Sequence, residues 1–81
     1  MKETTCSVFN INYKLEYHRI SRDGFIIFEG VLFQNPPLIF SYTISENNRV
    51  NFSPLQTGLS VQDAIKKAIE KSEEQILKGQ C

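Results

Sequence analysis

Only one stretch of this sequence, from Ser60 onward, has the composition of a helix, while three clusters of turn formers cut everything before it into strand-like segments. A sheet must bury at least one face against another layer. With a single helix to supply that layer, one side of the sheet is covered and the other stays open to solvent or to another molecule.

The turn clusters are Ser21-Arg22-Asp23-Gly24, Gln34-Asn35-Pro36-Pro37 and Ser45-Glu46-Asn47-Asn48. The segments between them are rich in Phe, Ile, Tyr and Val, which favour the pleated, half-buried environment of a strand. The last third turns to Ala, Lys, Glu, Gln and Ile, good helix formers in the main. The order predicts strands over about 6–19, 25–34, 38–45 and 49–53 and a helix over about 61–78. This is an α+β chain, a four-stranded antiparallel meander (ββββα) with one C-terminal amphipathic helix on one face. At 81 residues it has room for one core, and 1–81 is read as a single domain.

Side-chain parity assigns the faces. Phe9, Ile11, Tyr13, Leu15 and Tyr17 alternate with Asn10, Asn12, Lys14, Glu16 and His18, so the first strand is expected to bury the first set, with room for a bulge near Asn10 or Asn12. The second strand is apolar on both sides, and its turn decides. A two-residue Asp23-Gly24 turn pairs Arg22 with Phe25, Tyr17 with Gly30 and Leu15 with Leu32, turning Ile26, Phe28, Gly30 and Leu32 inward. A three-residue loop would put Glu29 among the core aromatics as an unpaired carboxylate. On the third strand Leu38, Phe40, Tyr42 and Ile44 form the inward set. A three-residue Glu46-Asn47-Asn48 loop, with Asn48 left-handed, sets Ile44 beside Val50 and Tyr42 beside Phe52.

On the helix, Val61, Ala64, Ile65, Ala68, Ile69 and Ile76 fall within an arc about 140° wide at 100° per residue. Lys66, Lys67, Glu70, Glu73 and Glu74 fall opposite and read as a solvated charge run. Ser60 with Asp63 three residues on resembles a capping box. Lys78 suits the negative end of the helix, and Gly79 is a natural stop.

Nine basic residues balance nine acidic ones, so the basic excess usual in a generic nucleic-acid binder is missing. Cys6 and Cys81 do not make a disulfide framework and read as free thiols of a reducing, cytoplasmic setting. No signal-peptide pattern opens the chain, and no apolar run approaches the roughly 20 residues that cross a bilayer. One histidine and two distant cysteines offer no recognised metal spacing, and the four glycines form no phosphate-binding fingerprint. Neither a metal nor a cofactor is expected.

The most enzyme-like pair is His18 and Glu29, opposite each other on the outer face, but no third group accompanies them and they read as a cross-strand polar pair. No catalytic residue is assigned. Lys14, His18, Arg19 and Arg22 gather near the first hairpin beside Tyr17 and Phe25, though Glu16, Asp23 and Glu29 dilute them.

The feature that carries most weight is the uncovered face. The register leaves Phe25, Ile27, Val31, Phe33 and Ile39 there, with Lys14, Glu16, His18, Glu29, Ser41 and Thr43 as a polar rim, and contiguous apolar patches on monomers mark interfaces. Three arrangements satisfy it: the sheet curls over the patch, two copies pack face to face, or another protein docks. The expected function is a non-enzymatic protein-binding module, an inhibitor or adaptor of the kind phages and mobile elements encode against host enzymes. Its contacts would be Phe25, Ile27, Val31, Phe33, Ile39, Lys14, His18 and Glu29, and an open sheet edge offers a second route by strand addition. The alternative is a homodimeric nucleic-acid-binding domain using Arg19 and Arg22 of the basic hairpin.

Overall fold

The computed structural model describes residues 1–79, with side chains to residue 75. Five antiparallel strands, β1 (Lys2–Val8), β2 (Ile11–Arg22), β3 (Phe25–Leu32), β4 (Leu38–Ile44) and β5 (Val50–Ser53), precede one helix, α1 (Leu59–Gly79). The strands lie in the order β1-β2-β3-β4-β5, a meander in which each pairs with its chain neighbour.

The class is the expected one, but the strand count is five where four were expected. The predicted first strand, 6–19, is two strands joined at Phe9-Asn10, both with positive φ (49° and 66°). The chain reverses there, with Val8 paired to Ile11, so the long first strand neither runs straight nor bends at a bulge near Asn10 or Asn12 but turns back as a hairpin. Reversal switches parity: the buried residues of β1 are the even ones, Cys6 and Val8, and Phe9 stands in solvent at 76% exposure. Ile11, also expected inside, is exposed, and Tyr13 is half-buried against the core.

Beyond that turn the inferred register is observed. Asp23 and Gly24 take positive φ (49° and 81°), and Arg22 pairs with Phe25, Tyr17 with Gly30 and Leu15 with Leu32. Asn48 is left-handed (φ 60°), the Ser45 amide donates to the Arg49 carbonyl, and Tyr42 pairs with Phe52. Val50 pairs with Ile44 as expected but remains exposed.

The core lies between the inner sheet face and α1: Cys6, Leu15, Tyr17, Phe28, Leu32, Phe40, Tyr42 and Phe52 meet Ile65, Ala68 and Ile69. Aromatic rings run across it from strand to strand. Tyr17 meets Phe28 edge-on at 5.9 Å, Phe28 meets Tyr42 at 5.7 Å, and Phe40 stacks on Phe52 at 5.9 Å, the separations at which ring quadrupoles add to area burial. Gly30 sits beneath Tyr17, where a Cβ would collide with the Glu16 carbonyl and the Tyr17 backbone. Cys6 is fully buried, and burial pushes its thiol pKa up, away from the reactive thiolate.

The helix starts earlier than 61. The Gly58 carbonyl accepts from the Val61 and Gln62 amides, so Gly58 occupies the cap and Ser60 lies inside the first turn, which corrects the capping-box reading. The Gln62 side chain reaches back to the Thr57 carbonyl at 2.7 Å. The expectations for the Ile76 and Lys78 side chains and for Cys81 lie outside the described residues.

Glu73, placed by periodicity on the solvated side, is instead tied to the sheet. Its Oε2 accepts from Lys2 Nζ at 2.8 Å and from the Tyr17 hydroxyl at 2.9 Å, and Arg19 Nη1 lies 3.8 Å from its Oε1. Tyr17 also reaches the buried Ser72 hydroxyl at 2.8 Å. Burial raises the Glu73 pKa, but hydrogen bonds from Lys2 and Tyr17 and the charges of Lys2 and Arg19 outweigh it, leaving the carboxyl below its ordinary value. A depressed folded pKa gives stability that is present above the unfolded value and is lost as pH falls through the folded one.

Two predictions follow the packing. Gly30→Ala should cost about 3 kcal/mol in urea unfolding, because the clash is with backbone that has nowhere to move. Glu73→Gln should cost about 1–2 kcal/mol at neutral pH. It should also flatten the acid limb of the wild-type stability curve below about pH 4.3. An acid limb unchanged in the variant would mean that other carboxylates cause it.

Candidate functional site: the outer sheet face

Parity along β2 and β3 builds this face. Even residues of β2 (Lys14, Glu16, His18, Ile20, Arg22) and odd residues of β3 (Phe25, Ile27, Glu29, Val31) point away from α1. Ile39, Ser41 and Thr43 of β4 and Asn51 and Ser53 of β5 continue it. Phe33, just past β3, joins through its amide, which donates to the Lys14 carbonyl at 2.9 Å, and its ring lies 5.6 Å beneath the Lys14 ammonium.

The face stays open. Ile39 is 74% exposed, Phe25 45% and Phe33 42%, while Ile27 and Val31 are half-buried among their neighbours. The five apolar residues expected here therefore do share one side of the sheet, and sheet curvature does not cover them.

A polar row crosses the patch at mid-height. His18 pairs with Glu29, Glu29 with Ser41, and Ser41 with Ser53. His18 Nε2 stands 3.6 Å from Glu29 Oε2, both side chains half-exposed. In this order the hydroxyl of Ser41 adjoins the carboxylate, not the imidazole. Two strand spacings, about 10 Å, separate Ser41 from His18, too far for a base to take a hydroxyl proton. The row sets an imidazole, a carboxylate and two serine hydroxyls in line across the face.

Along the row lies a shallow groove of about 410 Å³, lined by Val31 and Ile39 together with His18, Glu29, Ser41, Ser53, Met1 and Pro54. Met1, Ser53 and Pro54 were not singled out from sequence. Ser53 was reachable by extending the Tyr42–Phe52 register one residue; Met1 was not, because β1 was unrecognised.

The basic hairpin does not form one surface. Arg19 is on the inner face beside Glu73, and Arg22 is on the outer face opposite Phe25. Lys14 lies 3.2 Å from Glu16 and 3.4 Å from Glu3. Hydrogen bonding to Glu16, with Glu3 adding to it, holds the ammonium above its ordinary pKa, and Lys14 holds Glu16 below its own. Lys14 thus arrives at the surface already neutralised, and the cluster has a net charge of −1 from one lysine and two glutamates.

The two sides of β4 should respond differently to substitution. Ile39→Thr should change unfolding free energy by less than about 0.5 kcal/mol, whereas Phe40→Ala, one residue along, should cost about 3–5 kcal/mol. A large loss at Ile39 would make the outer patch part of the stabilising core. Among the described residues no helix is long and apolar enough to cross a membrane. Searches of protein-family models, curated proteins and solved structures find no match to this chain.

Proposed function

We propose that this chain is a non-enzymatic protein-binding module, an inhibitor or adaptor that acts in the cytoplasm by docking its outer sheet face on a partner protein. One observation supports the reading above the others. Phe25, Phe33 and Ile39, each more than two-fifths exposed, share one face with half-buried Ile27 and Val31. Full exposure of a side chain of this size forgoes about 1.5–3 kcal/mol, and these three forgo a share of it in proportion to their exposure. Lys14 and Glu16 border the patch and the His18–Glu29–Ser41 row crosses it, so polar, hydrated groups stand beside apolar ones as they do in protein interfaces. The groove over Val31 and Ile39 is a socket into which one partner side chain fits.

A tagged chain in reducing buffer, incubated with lysate of its source cell, should retain a stoichiometric protein. Ile27→Asp/Val31→Asp, shown by circular dichroism to be folded, should lose it. If the double variant retains the same protein, docking does not use the outer face. If both retain nucleic acid equally, and salt removes it steeply, the binding-module reading gives way to a nucleic-acid one.

A further inference from the structure

β1 lies at one edge of the sheet, paired with β2 alone. The Phe9-Asn10 turn fixes which of its backbone groups that pairing leaves over. In a two-residue hairpin the flanking pair, here Val8 and Ile11, exchanges both hydrogen bonds, and bonded and non-bonded pairs then alternate along the strands. Lys2, Thr4, Cys6 and Val8 therefore turn their amides and carbonyls to β2, and those of Glu3, Thr5 and Ser7 point out of the sheet. The opposite edge, β5, is four residues long and runs into Pro54, which blunts it.

β1 is longer, at seven residues, and has a wall beside it. Lys2 reaches Glu73 near one end of the strand, and toward the other Thr5 and Ser7 share a groove of about 240 Å³ with Ala64, Lys67, Ala68 and Lys71. α1 thus runs antiparallel to β1 along the open edge. Lys67 and Lys71 have no ion pair among the described residues, and none of those lining the groove is a carboxylate. Four residues of helix rise about 6 Å, and alternate residues of a strand are about 6.6 Å apart. Carboxylates at every second position of an added strand therefore match the two lysines in spacing and in sign. We infer that the open edge of β1 takes an acidic extended segment of another protein as a sixth strand, with alternate carboxylates on Lys67 and Lys71. This site is separate from the outer face and does not depend on it.

The probe is a capped, dye-labelled octapeptide of alternating threonine and glutamate, titrated against the full chain in low-salt reducing buffer and read by fluorescence anisotropy. It should bind with a submillimolar Kd and slow hydrogen exchange at the Thr5 and Ser7 amides. Lys67→Glu/Lys71→Glu should raise the Kd about tenfold or more, because two attractions become repulsions. Thr5→Pro should weaken binding about tenfold as well, since it removes an edge amide. It takes none of the bonds to β2, so its circular dichroism spectrum should match wild type. The peptide with lysine in place of glutamate should bind about tenfold more weakly or worse. Ile27→Asp/Val31→Asp should bind the peptide as wild type does, which separates this edge from the outer face. No binding at millimolar peptide, or binding that leaves exchange at Thr5 and Ser7 unchanged, overturns the inference. So does binding that is lost in Ile27→Asp/Val31→Asp, which places the peptide on the outer face. Protection of the two amides that grows with protein concentration, without peptide, gives the edge to a second copy and overturns it too.

Discussion

A strand has two sides, and the turn at Asp23-Gly24 decides which one β3 shows to the helix. Both turn residues hold positive φ, so the hairpin closes with two residues and Arg22 pairs with Phe25. Every later assignment inherits that parity. Phe28 and Leu32 go to the core, Gly30 passes beneath Tyr17, and Phe25, Ile27, Glu29 and Val31 go outward. One more residue in the loop would exchange the sets and bury Glu29. The open face is thus the other half of the choice that makes the core.

The two faces of the sheet are held by different physics. The inner one is rings and aliphatic chains under α1, with Tyr17, Ser72, Glu73 and Lys2 satisfying the polar groups that the helix brings in. Buried hydroxyls and a half-buried carboxylate are tolerated there because each has partners. The outer face puts a polar row through an apolar patch, with side chains that keep water contact.

Most of this was legible from residue types. The pattern of β3 and β4, the left-handed Asn48 and the pairing of Tyr42 with Phe52 all follow from turn chemistry and period. β1 was hidden because Phe9-Asn10 lacks the glycine that marks a two-residue turn. The apolar residues Phe9, Ile11 and Tyr13 also keep their alternation in sequence straight through the reversal. Glu73 was misjudged for a different reason: helical periodicity reports which side is apolar, not where a long side chain can reach. Its carboxylate bends round from outside the apolar arc to the Tyr17 hydroxyl, a contact set by tertiary placement alone. Arg19 followed it, since a strand position three residues from Arg22 must face the other way.

The Lys2–Glu73 pair joins positions 71 residues apart, whereas every strand pairing is between chain neighbours. The hairpins can form as soon as each turn exists. The helix must close nearly the whole chain before it rewards that closure, an entropic cost that grows with loop length. During synthesis, then, the sheet precedes its cover, and Cys6, Leu15 and Phe28 wait for Ile65 and Ile69, which follow every strand in the chain. Until α1 arrives, the inner side of the sheet, the more apolar of the two, has no cover. That exposure ends only when α1 has left the ribosome and docked on the sheet.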